Sequence, residues 1–494
     1  MNTNKMKKIL LVVLVLVSLF NNRIQLYSQH KVDIIVPQFP GDTLIFGHYL
    51  RETLIIKDSA FLDSKGKGTF EGKDVLPGGL YTVYLPNKNR LDIIIDKNQY
   101  FSIITDTTDL VRKTIFKNDP ENELFFRYQV YIMDMKNKIS PLEKRVNKII
   151  SVEDSIEAKM ELDAVNNEVT KHVGEIINEN LNFFLSKLLK SMKDVDVPDP
   201  PKDQNGRVTD STFQYRYYKA HYFDNFDISD VRFLRSPFYE KKLMTYIDKL
   251  VIPHPDSICK EVDWLVEKSR ADTFLFQYML STLFNYYLQS QYIGMDAIVV
   301  YIVEKYYIPE AKWQDKKSIE DLKVSVKKLK PLLIGKDAPE IELVSVSDEY
   351  FKAAVNDTAL KKNPYIGEIF NLTEIKSKFL ILYFWEADCG HCKASIPVLY
   401  KVYEKLNDNG LQVVAVHMLG GIEGKIKWVD FVTKEKLYGW INAWNPYEFS
   451  YKDTYDITSS NIIYLFDENR TILAKRISPE VAEKIILEEL KKKK

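Results

Sequence analysis

The sequence predicts a multidomain chain with an N-terminal antiparallel β domain, a central all-α domain and a C-terminal α/β domain. Three observations carry this reading. Short β-rich runs broken by turn residues fill residues 30–115, and long charged and apolar segments at three- and four-residue spacing fill residues 118–332. From 334 to 494 the pattern changes again, and a continuous apolar run leads into a cysteine-bearing turn and a helix. At 494 residues the chain exceeds one ordinary core, in keeping with several domains.

Bulk composition narrows the function. With 45% hydrophobic and 28% charged residues the chain reads as globular. Lysines plus arginines number 69, as do aspartates plus glutamates, so no field of one sign argues for nucleic acid; the Lys491–Lys494 tail reads as a solvated helix end. Residues 1–28 read as a signal peptide: Lys5, Lys7 and Lys8 form a basic start, Ile9–Phe20 is apolar except for Ser18, and small Ser28 suits cleavage. That run is shorter than the roughly 20 residues a bilayer span needs, and no cysteine near its end could carry a lipid. An exported chain without a membrane span is therefore expected.

The β region holds seven short runs, Val32–Val36, Thr43–Gly47, Leu54–Ile56, Gly68–Glu71, Leu80–Leu85, Leu91–Ile95 and Tyr100–Thr105. Gly41-Asp42, Pro77-Gly78-Gly79 and Pro86-Asn87 supply turns between them, so a small sandwich or barrel is expected. Helical spacing comes next, as in Ile149–Val165 and Val169–Leu189, with the proline-bearing segment from Val195 to Gly206 as a loop. The aromatic stretches Phe213–Phe238 and Phe274–Tyr307 lack clustered basic residues and read as core. In the last domain Phe379–Trp385 reads as a strand covered on both faces, Cys392–Leu406 as a helix and Leu411–His417 as the next strand of a βαβ unit. Ile462–Phe466 and Ile472–Lys475 form a hairpin, and Ser478 with Pro479 starts the last helix.

The chemistry lies in Cys389-Gly390-His391-Cys392. Cys389 stands where a buried strand gives way to a helix, so unpaired backbone N–H groups and the helix dipole stabilise its thiolate, the species that attacks disulfides. Cys392, one helical turn on, suits a resolving thiol, and the His391 imidazolium between them favours the Cys389 thiolate further. A structural zinc site is the bland alternative, but it needs four ligands, and His417 is the domain's only other histidine. Cys259, in Ser257-Ile258-Cys259-Lys260, reads as a buried small hydrophobe. No other cysteine exists, so an exported chain keeps one credible redox pair.

The segment Phe384-Trp385-Glu386-Ala387-Asp388-Cys389-Gly390-His391-Cys392-Lys393, with Pro397 beyond it, resembles the thioredoxin superfamily. Ile334-Gly335-Lys336-Asp337-Ala338-Pro339 resembles the opening of its extracytoplasmic branch, the thiol–disulfide oxidoreductases related to cytochrome c maturation reductases. The upstream phrases Phe70-Glu71-Gly72 and Gly79-Leu80-Tyr81, His221-Tyr222-Phe223-Asp224-Asn225, and Tyr306-Tyr307 with Trp313 are similar to uncharacterised β and helical regions fused before thioredoxin domains in exported Bacteroidota proteins. The resemblance implies a thioredoxin-like fold over 334–494.

It also exposes departures. The peroxide-reducing pattern places Thr where this chain has Glu386, which disfavours a peroxidase. The family's cis-proline facing the disulfide aligns with Asn461, where a cis bond would cost about 2.5–4 kcal/mol, so a trans or altered loop is expected. Its buried acid aligns with Tyr383 and Ser395, while Glu386 and Asp388 on the turn are expected to be solvated.

The expected function is an exported, periplasmic or cell-envelope thiol–disulfide oxidoreductase. Cys389 is its nucleophile, Cys392 its resolving thiol, His391 a modulator and Asn461 the substrate-loop residue. Protein thiols or disulfides and an unidentified redox donor are its partners, and neither cofactor nor metal is implied. A non-catalytic cell-envelope binding or assembly protein with a degenerate thioredoxin fold is the alternative.

Overall fold

A computed structural model describes residues 28–147, 152–444 and 449–492. The signal-peptide reading falls almost wholly outside the described residues, as does the start of the expected Ile149–Val165 helix. Among the described residues no helix is long and apolar enough to cross a membrane. They form two compact units, one running to Val251 and taking in Lys268–Leu275, the other made of Ile252–Glu267 and the chain from Phe276 onward.

The first unit opens with eight strands: β1 His30–Ile35, β2 Thr43–Leu50, β3 Thr53–Phe61, β4 Lys67–Gly72, β5 Gly79–Tyr84, β6 Arg90–Ile95, β7 Tyr100–Ile104 and β8 Ile115–Lys117. They make two four-stranded sheets, ordered β4-β1-β7-β8 and β3-β2-β5-β6. Alternate side chains of both sheets, Val32, Ile34, Phe46, Phe70, Tyr81, Val83, Ile93 and Ile103 among them, share one core. All neighbours are antiparallel except β1 and β7, which run parallel with Lys31 opposite Tyr100. A parallel pair needs a long crossover, and β2–β6 supply it.

The helices of this unit are α1 Pro120–Asn147, α2 Val152–Glu179, α3 Phe184–Ser191, α4 Phe213–His221 and α5 Tyr239–Leu250. Buried Asn122 ties α1 to the β-sandwich: its Nδ2 donates to the Ile94 carbonyl at 2.7 Å, and its Oδ1 accepts the Ile94 N–H at 2.7 Å. The loop expected from Val195 to Gly206 is present, closed by an isolated bridge between Lys202 and Val208.

Further helices are α6 Pro255–Ser269, α7 Thr273–Leu288, α8 Asp296–Ile302 and α9 Lys316–Leu329. Tyr287, Tyr306 and Tyr307 are buried here, as a core reading of the aromatic stretch requires. Asp263 of α6 collects the hydroxyls of Tyr301 and Tyr306 and the Lys305 ammonium within 2.8 Å. Cys259 departs from expectation in being only partly buried. What burial it has, with Asp263 and Asp256 nearby, still pushes its thiol up to about 11, far from a reactive thiolate.

The second unit ends in a seven-stranded sheet ordered β10-β9-β13-β12-β11-β14-β15. Its strands are β9 Glu342–Ser345, β10 Glu368–Asn371, β11 Phe379–Trp385, β12 Leu411–His417, β13 Ile441–Trp444, β14 Ile462–Phe466 and β15 Ile472–Lys475. Around it lie α10 Asp348–Ala354, α11 Thr358–Lys362, α12 Gly390–Leu406, α13 Gly421–Glu435, α14 Ser450–Thr454 and α15 Pro479–Lys492.

Every residue of β11 is buried because the strand is covered on both faces. Phe379, Ile381, Tyr383 and Trp385 meet α10, α12, α13 and α15. Leu380, Leu382 and Phe384 meet α14, Leu332 and Ile341. Such side chains each stabilise the fold by about 1.5–3 kcal/mol on burial, which makes β11 a rigid base for the cysteine turn at its C-terminal end. Beyond α12, Gly410 adopts φ 92 and turns the chain into β12, its carbonyl accepting the N–H groups of Lys378 and Phe379. The parallel strands β11 and β12 end side by side at Trp385 and His417.

Candidate active site

Cys389 sits at the end of β11 after the turn Glu386–Asp388, and its own N–H donates to the Glu386 carbonyl at 3.2 Å. The helix begins at Gly390, two residues earlier than the sequence predicts, so Cys389 is the N-cap of α12 with extended backbone, φ −73 and ψ 122. Its sulfur accepts the Cys392 N–H at 3.2 Å, as a capping side chain does. Cys389 is partly exposed, whereas Cys392 is fully buried against Ile396 and Tyr383.

The two thiols are therefore electrostatically unlike. Burial raises the Cys389 thiol, but hydrogen bonds from Cys392, from the Ser460 hydroxyl and from the backbone N–H groups of Cys392 and His391 outweigh it and hold the thiol below its ordinary value. Burial, reinforced by Cys389 alongside, pushes Cys392 up to about 11. Of the pair, Cys389 ionises first as pH rises. Of His391, it is the backbone N–H that reaches the Cys389 sulfur, while the residue itself is exposed.

Three further residues define the surroundings. Asn461 adopts φ 69, in the left-handed region that asparagine tolerates, and its N–H donates to the Phe384 carbonyl at 2.8 Å. No cis peptide bond occurs among the described residues. Tyr383 donates its hydroxyl to Asn461 Oδ1 at 2.9 Å, joining β11 to the loop before β14. His417, whose residue type suggests a spare zinc ligand, instead accepts the Ala387 N–H on Nε2 at 3.2 Å and lies edge-on to Trp385. Burial drives its pKa down to about 3, so a neutral imidazole braces the turn that presents Cys389. Among the described residues no cluster of His, Cys, Asp or Glu could hold a metal.

Asp388 is exposed and paired with Lys427 of α13 at 2.8 Å; Glu386 is half-buried. Between that turn, α12 and α13 lies a cleft of about 430 Å3 with an apolar floor from Ala387, Ile396, Pro397 and Phe431 and a rim that includes Lys393. It runs directly beside the cysteine turn.

Ser460 is the contributor that sequence reasoning missed. Its one signal was adjacency to Asn461, the residue aligned with the family's proline. Replacing Ser460 with Ala removes a donor to the thiolate, so the pH midpoint for alkylation of Cys389 is expected to rise toward that of an ordinary thiol, with a several-fold loss of reactivity at pH 7. Rate against pH with iodoacetamide checks this; an unmoved midpoint would show that the hydroxyl contributes nothing.

Residues 334–472 match the AhpC/TSA family model, and residues 197–328 match a domain of unknown function, DUF5106. The thiol-disulfide oxidoreductase ResA of Oceanobacillus iheyensis is 26% identical over 87 residues, 18% of this chain and 38% of that protein. The chain thus spans well under half the length of this curated relative. Among solved structures, a thioredoxin-like protein from Bacteroides caccae is 16% identical with a TM-score of 0.43, covering 60% of this chain and 99% of that one. A domain of a possible thiol-disulfide isomerase from Cytophaga hutchinsonii is 29% identical with a TM-score of 0.27, covering 33% of this chain and 96% of that one. A putative thiol:disulfide interchange protein DsbE from Chlorobium tepidum is 21% identical with a TM-score of 0.25, covering 31% and 96%.

Proposed function

We propose that this chain, whose residues 334–472 form a thioredoxin-like domain of the AhpC/TSA family, exchanges disulfides with protein clients through Cys389 and Cys392. One observation carries the reading: Cys389 caps α12 with its sulfur among donors, while Cys392 is buried and held protonated. Attack by the Cys389 thiolate on a client disulfide forms a mixed disulfide and expels one client thiolate. Cys392 then attacks Cys389, closes the intramolecular bond and releases the second client thiol. The client gains two electrons and the pair loses two, so an external thiol donor must reduce the pair again. With client and donor exchanged, the same steps run in reverse.

In this reading the protein works outside the cytoplasm, in the periplasm or cell envelope, on the strength of the basic start at Lys5, Lys7 and Lys8 and the apolar run Ile9–Phe20. His391, beside Cys389, is assigned the modulating part, and Asn461 is assigned to the loop that meets the client. In this reading a β domain at 30–115 and a helical domain at 118–332 precede the redox domain at 334–494.

Reduction of insulin disulfides by dithiothreitol tests the reading. The wild-type chain should accelerate precipitation of the insulin B chain, and Cys389→Ala should return the rate to that of dithiothreitol alone. A wild-type chain no faster than dithiothreitol would overturn the proposal and favour the non-catalytic binding protein.

A further inference from the structure

Cys392 must lose a proton before it can resolve a mixed disulfide, and it is fully buried. Neither position at which the family carries a buried acid holds one here; they are Tyr383 and Ser395. Tyr383 lies in the middle of β11 on the face that meets α12, in the same apolar cluster as Cys392. Its hydroxyl donates to Asn461 Oδ1 at 2.9 Å and also lies within hydrogen-bonding reach of the Cys392 sulfur.

A phenol has one proton to give, and an amide oxygen can only accept. While the proton points at Asn461, the phenol oxygen can offer Cys392 only a lone pair, which suits a protonated thiol. Once Cys392 ionises, its sulfur becomes an acceptor. A buried thiolate without a donor is costly, so the phenol must turn its proton to the sulfur and leave Asn461. The two bonds are mutually exclusive.

Resting on the thiol–disulfide reading above, we infer that the Tyr383 hydroxyl switches its single proton between Asn461 Oδ1 and the Cys392 sulfur, so that ionisation of the resolving thiol is stabilised by the same group that otherwise holds the Ser460–Asn461 loop. The other groups acting on Cys392 are the Cys389 sulfur, which opposes its ionisation, and the Glu386 backbone, which favours it. Burial holds the Tyr383 proton well above the ordinary tyrosine range, so the phenol serves as a donor and does not itself take the proton. That proton goes to solvent, and the departing client thiolate takes one up.

Adjacent loop residues thus serve the two sulfurs in turn. Ser460 donates to Cys389 for the attack, and Asn461 yields Tyr383 to Cys392 for the resolution. The backbone of Asn461 stays fixed on the Phe384 carbonyl at 2.8 Å throughout, so only its side chain has to let go.

The test uses the reduced full-length chain with Cys259→Ser, so that only the pair reacts with 5,5′-dithiobis(2-nitrobenzoate). Attack by Cys389 releases the first nitrothiolate in a concentration-dependent phase, and resolution by Cys392 releases the second in a concentration-independent one. Tyr383→Phe should slow the second phase about 10- to 100-fold relative to the first and move its pH midpoint upward. Asn461→Gly keeps the left-handed backbone and its N–H but frees the hydroxyl, so it should accelerate the second phase. The double variant should behave as Tyr383→Phe does. A second phase at the wild-type rate in Tyr383→Phe overturns the inference, as does Asn461→Gly slowing it as Tyr383→Phe does, the pattern expected of a purely structural contact. A wild-type chain that releases no first equivalent overturns the thiol–disulfide reading, and this inference with it.

Discussion

Replacing Cys392 with Ser should convert the chain into a trap. Cys389 keeps most of its surroundings, since the backbone N–H of residue 392 still caps it and Ser460 is untouched. The first step therefore proceeds, and the mixed disulfide with the client accumulates because no neighbouring thiol remains to attack it. An intramolecular nucleophile is worth an effective concentration far above any attainable in solution, so the adduct lifetime should lengthen roughly a thousandfold or more. Non-reducing electrophoresis of whole-cell extracts would display the adducts, and Cys389→Ser in the same background should erase all of them. Adducts that persist in the double variant would point to Cys259 and contradict the assignment.

The second large effect concerns Asn461. Restoring the proline that the family carries should damage this domain. Asn461 sits at φ 69, whereas proline is held near −65°, and the Asn461 N–H donates to Phe384 at 2.8 Å, which proline cannot do. The mismatch costs about 3 kcal/mol or more, which lowers the unfolding temperature of a domain of this size by about 6–12 °C. Tyr383 loses its partner as well, so exchange should fall alongside stability. Differential scanning calorimetry with the insulin assay reads both. A variant as stable as wild type would mean that the loop adopts the family's proline geometry at no cost and that Asn461 is not a structural commitment.

Much of the last domain is legible in its sequence. Phe379–Trp385 and Leu411–His417 match their strands residue for residue, because an unbroken apolar run bounded by polar turns has few other homes than the middle of a covered sheet. The hairpin Ile462–Phe466 and Ile472–Lys475 was equally plain. Strands β9, β10 and β13, of four residues each, were not. Nor was the parallel pairing of β1 with β7, which depends on where the chain returns after β2–β6 and not on the composition of either strand.

The site divides in the same way. Cys389 and Cys392 were legible from strand, turn and helix order. The contacts that tune them were not, since Tyr383 and Asn461 are 78 residues apart and nothing local to Tyr383 announces its partner. The sequence marked Tyr383 and Asn461 as losses of an acid and a proline; the fold shows them bonded to each other. His417 is legible in the sequence only as the domain's second histidine, too few for a zinc site; its contacts with Trp385 and Ala387 reveal a neutral brace.

The central claim is the asymmetry of the two thiols, and it can be measured on the wild-type chain alone. The reduced protein is pulse-alkylated across pH and each cysteine is quantified by peptide mass spectrometry. Cys389 should become reactive below the pH of an ordinary thiol, and Cys392 should stay silent until near pH 11. Two cysteines that titrate together near the ordinary value, or Cys392 ionising first, would contradict the account.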